Sequence, residues 1–185
     1  TWLAVGYLDG QVELWDVAVR GRVKLVQGPC GAPAHVAFSP NGDVFAATMA
    51  GGVVKAQNVT TGAELLLSDG SRVIRDLSYS RDGELVTVLG SSPGAVQVRK
   101  AADGTLVMNY PLPSGHDQHF NNARLSPDKR RLYVSSGAFR EPKLQCVSVP
   151  DAALLWEIPI GQIEGSENER GRDHGFSAMD LSPDG

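Results

Sequence analysis

The side chains with the richest chemistry lie in two polar stretches in the second half of the sequence. His116 and His119 fall within residues 114–121, and Asp173 and His174 end the stretch 161–174. Imidazole and carboxylate groups suit zinc, copper or iron, and a histidine that titrates near neutral pH suits a general base. The two stretches therefore predict either a metal or catalytic cluster, or solvated loop side chains that cap turns and contact a partner.

Three other side chains suit binding rather than catalysis. Phe139 and Arg140 share the stretch 136–142, and Arg172 lies two residues before His174. Aromatic and arginine side chains are enriched at the energetic centres of protein interfaces. The alternative for Phe139 is that its ring folds back onto its own sheet. His35 lies beside an apolar run and is expected to pack within its strand.

The sequence contains none of the stronger catalytic patterns. It has no nucleophile elbow, no glycine loop of the kind that cradles phosphate and no pair of carboxylates at a usable spacing. Its two cysteines, Cys30 and Cys146, form neither a disulfide framework nor a metal-ligand set. We therefore expect a non-catalytic chain with no cofactor and no metal, located in a reducing compartment, the cytoplasm.

The elements that would position these stretches repeat four times. In each copy an apolar run leads into a serine, a turn rich in Gly, Asp or Asn follows, and a second apolar run begins. The serines are Ser39, Ser80, Ser126 and Ser182, spaced 41, 46 and 56 residues apart. A period in the low forties built from short apolar runs is typical of propeller blades.

Each repeat predicts four antiparallel strands. An inner strand precedes the serine, a second strand follows the turn, a third alternates apolar and polar residues, and an outer strand comes after another turn. No segment shows a helical stripe, so almost no helix is expected. The chain is interpreted as one all-β propeller segment, residues 1–185, with repeats at 1–42, 43–83, 84–129 and 130–185.

One third strand carries a family motif. Residues 8–17 read Leu-Asp-Gly-Gln-Val-Glu-Leu-Trp-Asp-Val and are followed by Gly21, which resembles the third strand of a WD repeat. Residues 132–137 are similar to the tyrosine-valine (YVTN) propeller repeats. The chain is thus identified as a divergent WD-repeat or YVTN-like β-propeller. The resemblance implies that Trp15 packs between blades, that Asp16 ends its strand, and that the protein is an interaction scaffold.

A weaker resemblance supports a different function. Histidine-bearing stretches followed by Leu-Tyr-Val-Ser are similar to the propellers of quinone-dependent sugar dehydrogenases. That resemblance implies a catalytic histidine in this neighbourhood. The alternative function is therefore a propeller enzyme, quinone-dependent or metal-dependent, that uses His116, His119 and His174.

Composition limits the partners. The chain has 185 residues, 42% of them hydrophobic, and a net charge of −4. No run of Lys and Arg provides a stripe for tracking phosphates, which argues against a nucleic-acid partner. No apolar run approaches the roughly 18 residues of a membrane span, so no membrane partner is expected. Other proteins remain the expected partners.

The repeat pattern also predicts incomplete blades. Residues 177–181 have the inner-strand pattern without a blade of their own, and residues 2–26 have a blade without an inner strand. WD-type blades favour a segment of a ring of about seven or eight blades, and a self-closed four-bladed ring is the alternative. In the larger ring, the rest of a propeller or a second copy of the chain would be a partner. Binding of other proteins would use the face that carries His116, His119, Phe139, Arg140, Arg172 and His174.

Overall fold

Four antiparallel sheets make up the computed structural model of this chain. The structure describes residues 1–7, 9, 11–26, 35–68, 74–91, 94–111, 120–136, 143–159 and 179–182. Its strands are β1 (Trp2–Gly6), β2 (Val12–Asp16), β3 (Gly21–Val26), β4 (Val36–Phe38), β5 (Val44–Thr48), β6 (Val54–Asn58), β7 (Glu64–Ser68), β8 (Ile74–Tyr79), β9 (Leu85–Ser91), β10 (Gly94–Lys100), β11 (Leu106–Pro111), β12 (Phe120–Leu125), β13 (Arg131–Ser136), β14 (Lys143–Ser148) and β15 (Leu154–Pro159). Within these ranges the only helical element is the short 3-10 turn Ala50–Gly52.

Each sheet is a simple meander. The first contains β1–β3, the second β4–β7, the third β8–β11 and the fourth β12–β15, and every neighbouring pair is antiparallel. The expected all-β fold with four-stranded units is confirmed for the second to fourth sheets. The first sheet has three described strands, which agrees with the expectation that residues 2–26 lack an inner strand.

The repeated serine has a structural role in the turn after each inner strand. The Ser39 hydroxyl donates to Asn41 Oδ1 (2.7 Å) and accepts the Val44 N–H (3.1 Å). Ser80 and Ser126 make the equivalent bonds to the carboxylates and N–H groups of their own turns. A hydroxyl both donates and accepts, so one serine ties the two ends of the turn together. The residue after the Asx has positive φ: Gly42, Gly83 and Lys129.

A second turn joins the third and outer strands and sets the distance between sheets. Its left-handed residue is Arg20, Gly62, Gly104 and Ala152 in the four sheets. Gly104 lies against the second sheet: a Cβ at this position would be 2.6 Å from the Leu66 carbonyl oxygen. The third sheet can approach the second this closely only because residue 104 has no side chain.

Apolar side chains fill the space between consecutive sheets. Strand β5 contributes to the cores on both sides of the second sheet, Ala46 to one and Phe45 and Ala47 to the other, because successive residues of a strand point to opposite faces. The core between the third and fourth sheets includes Val96 and Val98 on one side and Leu132 and Val134 on the other, all fully buried. Packing follows chain order, with β4 on β1, β8 on β4 and β12 on β8.

Two expectations are not tested by the described sheets. Trp15 lies on the face of β2 that points away from the second sheet, because Val12 and Leu14 occupy the other face, and no described sheet precedes the first one on that side. The inner strand expected at 177–181 also stays a prediction: residues 179–181 have no strand assignment, and the blade with which they would pair is not among the described residues. An inner strand needs a second strand for backbone pairing, and none is present beside these residues. Asp16 ends β2 as expected.

The first and fourth sheets do not cover one another. Large apolar side chains of both remain exposed, among them Leu3, Val23, Trp156 and Ile158. The described sheets therefore form an open series, and the four-bladed ring is not closed. Among the described residues, no helix is long and apolar enough to cross a membrane.

Candidate binding face

The ends of the candidate stretches meet along one edge of the fourth sheet. Phe120 lies opposite Ser136, Ser136 opposite Lys143, and Lys143 opposite Pro159. Residues 112–119, 137–142 and 160–178 attach directly to these four positions. We call this side of the sheets the loop edge. In the third sheet Ile74, Gly90, Ala95 and Pro111 form the matching row, so residue 112 also starts at the loop edge.

All six predicted binding residues lie outside the described residues: His116, His119, Phe139, Arg140, Arg172 and His174. The same holds for Asp173 and Cys30. What the structure establishes is where their stretches are anchored. Among the residues that it describes, no group of three His, Cys, Asp or Glu side chains is placed to hold a metal ion.

The anchors of the loop edge are firmly held. The Tyr110 and Phe120 rings contact each other with centroids 5.9 Å apart, and Phe120 is fully buried. The Lys143 ammonium pairs with Glu157 (2.9 Å), and Gln145 also donates to that carboxylate (2.7 Å). The hydrogen bond from Lys143 lowers the pKa of Glu157, which keeps the carboxylate charged. Packing and ion pairing thus hold the residues at which the three stretches attach.

An ion pair that the sequence did not reveal links the inner strands of the third and fourth sheets. The Arg124 guanidinium donates to the Asp76 carboxylate, which also accepts the Ala123 N–H (3.2 Å). Both side chains are mostly buried. Asp76 lies four residues before Ser80 and Arg124 lies two before Ser126. The opposite charges at these two repeat positions could have suggested an ion pair. The strand register was needed to show that the two side chains lie next to each other.

His35 lies beside this ion pair in the second sheet. The backbone N–H of His35 donates to Thr48 Oγ1 (2.8 Å), and its backbone carbonyl accepts the Thr48 N–H (3.0 Å). Burial lowers the pKa of His35, and the negative charge of Asp76 opposes that shift. The backbone of His35 thus pairs with Thr48 at the end of β5, and its side chain is half-buried.

A cleft opens on the opposite side, which we call the turn edge because the serine turns lie there. It has a volume of about 830 Å³ and lies between the second and third sheets. Val44, Tyr79 and Leu85 line it, and the buried Tyr79 hydroxyl has no hydrogen-bond partner. Burial raises the pKa of Tyr79 to about 12, so the phenol remains neutral at physiological pH.

Lysine and carboxylate groups connect the third and fourth sheets at the turn edge. The Lys129 ammonium contacts the carboxylates of Asp82 and Glu84. Burial tends to raise the pKa of Asp82, but hydrogen bonds from Lys129, Ser80 and the Glu84 N–H outweigh it and hold the pKa at about 2. These ion pairs join the third sheet to the fourth at the turn edge.

The structure is similar to a solved propeller. It superposes on the β-propeller domain of Cps50 (Swd1) from Myceliophteria thermophila with a TM-score of 0.68 and 14% sequence identity. The match covers 86% of this chain and 52% of the other, so the chain spans about half the length of that domain. No family model and no curated protein matches the sequence. The likeness shows the β-propeller fold that the repeats predicted.

Proposed function

We propose that this chain is a non-catalytic protein-interaction scaffold that binds other proteins through its loop edge. One observation carries the proposal: three stretches that contain the six candidate binding residues attach along one row of the fourth sheet. Loops on a rigid scaffold are the usual place for binding residues, since the sheet fixes their ends and leaves their sequence free. The anchors Phe120, Ser136, Lys143 and Pro159 provide that fixation.

The side chains on these stretches suit protein recognition. Phe139 and Arg140 have the composition of interface hot spots, and His116, His119, Arg172 and His174 add hydrogen-bonding groups. Cys146 is a free and fully buried thiol, which fits a cytoplasmic protein. The net charge of −4 gives no support to a nucleic-acid partner.

The proposal is tested by capturing proteins from a cell extract with the immobilised chain and identifying them by mass spectrometry. The Phe139→Ala/Arg140→Ala variant should weaken binding of a captured protein at least about 10-fold, because hot-spot truncation typically costs more than 1 kcal/mol. The matched control is Lys100→Ala, an exposed cation at the turn edge. Equal binding by the loop-edge variant and the wild-type chain would contradict the proposal.

The rival function, a metal-dependent or quinone-dependent enzyme, gives a different result. A metal held by His116 and His174 would stabilise the folded state by linkage, and the double variant His116→Ala/His174→Ala would abolish the gain. We expect no change in the melting temperature when zinc or copper is added. A stoichiometric metal that is lost in the double variant would favour the enzyme and overturn the scaffold.

A further inference from the structure

The first sheet exposes residues that every other sheet buries. In the second strand of the sheets that follow, two positions pack against the preceding sheet and are at most 2% exposed. These residues are Phe45 and Ala47, Val86 and Val88, and Leu132 and Val134. The ladder register places Leu3 and Val5 at the same two positions, yet Leu3 is 51% exposed. We call this side of the first sheet the leading face.

The fourth sheet shows the complementary pattern. In the third sheet, Met108 and Tyr110 of the outer strand are covered by the fourth and are 3% and 8% exposed. The register places Trp156 and Ile158 at these positions of the fourth sheet, and they are 39% and 51% exposed. Trp156 contacts only Tyr133 of its own sheet among aromatic rings that the structure describes. We call this side the trailing face.

Each face has the chemistry of a sheet interface rather than of a surface. Leading-face residues match the apolar positions that receive a preceding sheet, and trailing-face residues match those that receive a following sheet. Exposed apolar patches of this kind mark association sites in soluble proteins. The surface that fits a leading face is therefore a trailing face.

The four described sheets do not cover one another's open faces. Its four sheets superpose on about half of a larger propeller, so its two faces lie at opposite ends of an arc. A second copy, rotated by a two-fold axis along the centre of the ring, brings the leading face of each copy to the trailing face of the other. Both contacts form at once, and the ring closes without an exposed sheet face.

The backbone supports the same arrangement. The first sheet lacks an inner strand, so β1 is an edge strand with unpaired backbone groups on one side. Residues 179–182 carry the inner-strand pattern Met-Asp-Leu-Ser and have no strand to pair with in the chain that the structure describes. In the closed pair, this segment of one copy lies beside β1 of the other and completes its sheet.

We propose that two copies of this chain associate, leading face to trailing face, into one closed propeller of eight sheets. This inference is independent of the loop-edge function, because it concerns different surfaces of the first and fourth sheets.

Sedimentation velocity over a concentration series tests the proposal on three proteins. The wild-type chain should sediment with the mass of two chains. Ile158→Asp places a carboxylate in both interfaces and should raise the dissociation constant by about 30-fold or more. Leu66→Asp is the matched control, because Leu66 is also 51% exposed but lies on an interior sheet; it should leave the pair intact. Circular dichroism verifies that both variants keep their β structure.

A mixing experiment separates loss of contact from loss of folding. Leu3→Asp should also dissociate the pair, by damaging the leading face. An equimolar mixture of Leu3→Asp and Ile158→Asp still has one undamaged interface per pair and should associate more tightly than either variant alone. A wild-type chain that stays single at all concentrations, an open-ended series of larger masses, or an Ile158→Asp variant that pairs like the wild type would each overturn the proposal.

Discussion

At the scale of single residues, one carboxylate organises the leading face. Glu13 accepts hydrogen bonds from Tyr7 (2.9 Å), Trp15 (3.0 Å) and Arg22 (2.7 Å). The bond from Arg22 is the main reason why the pKa of Glu13 is lowered, and Tyr7 and Trp15 act in the same direction. The indole N–H of Trp15 thus helps to hold the Glu13 carboxylate two residues away on the same face of β2, a contact that the sequence alternation did not reveal.

The lowered pKa of Glu13 predicts a pH-dependent contribution to stability. A group whose pKa is lower in the folded state stabilises the fold above its unfolded value, which is near 4.5, and loses that effect as pH falls through the folded value. Glu13→Gln should therefore lower the urea midpoint at pH 7. The difference in urea midpoint between the variant and the wild type should disappear as the pH falls below 4.5.

The control for this titration is Glu64→Gln. Glu64 pairs with Lys55 at 3.0 Å on the surface, and an exposed pair of this kind contributes less than about 1 kcal/mol. If Glu13→Gln lowers the urea midpoint equally at pH 3 and pH 7, the charge of Glu13 does not account for its contribution to stability.

At the scale of elements, close approach of neighbouring sheets depends on two kinds of turn. The serine turn is closed by hydrogen bonds among its own residues, so it can be predicted from the sequence alone. The third-to-outer turn is different, because Gly104 is required by contact with Leu66 and Leu67 of another sheet. The repeat predicted a turn here, but only the packing of the sheets shows that its glycine at position 104 is essential.

Replacing that glycine should reveal the packing. Gly104→Ala forces an L-residue into φ 74° and places its Cβ 2.6 Å from a carbonyl oxygen. The left-handed conformation costs about 1–2 kcal/mol, and the overlap adds about 1–3 kcal/mol. Gly42→Ala is the matched control, with φ 76° and no atom within 4 Å of the added Cβ. Urea unfolding should show a larger loss for Gly104→Ala; equal losses would mean that the sheets are not in this contact.

At the scale of the whole molecule, the repeat period was sufficient to predict the fold. Short apolar runs between turns specify strands locally, and their recurrence specifies sheets, so positions such as Val44–Thr48 and Lys143–Ser148 could be located from sequence. The loop-edge row could be predicted only in outline, since it depends on which residues lie opposite one another. Residues such as Asp76 and Arg124 needed the packing of two sheets to be recognised as partners.

The same limit applies to the open faces. Leu3 and Ile158 look like ordinary core residues in the sequence, and the alternation pattern assigns each of them to a buried side. Their exposure becomes visible only when the sheets are placed in order, because burial of a sheet face depends on a neighbour. The expectation that Trp15 packs between blades depends in the same way on a neighbouring sheet.

The central claim is that the loop edge is the surface that binds other proteins. Hydrogen exchange measured on the chain bound to a captured protein tests it most directly. The account predicts slower exchange in peptides that span residues 112–122, 134–144 and 158–175, with unchanged exchange in the serine turns 39–44, 80–85 and 126–131. Protection confined to those turns, with the loop-edge peptides exchanging as in the free chain, would contradict it.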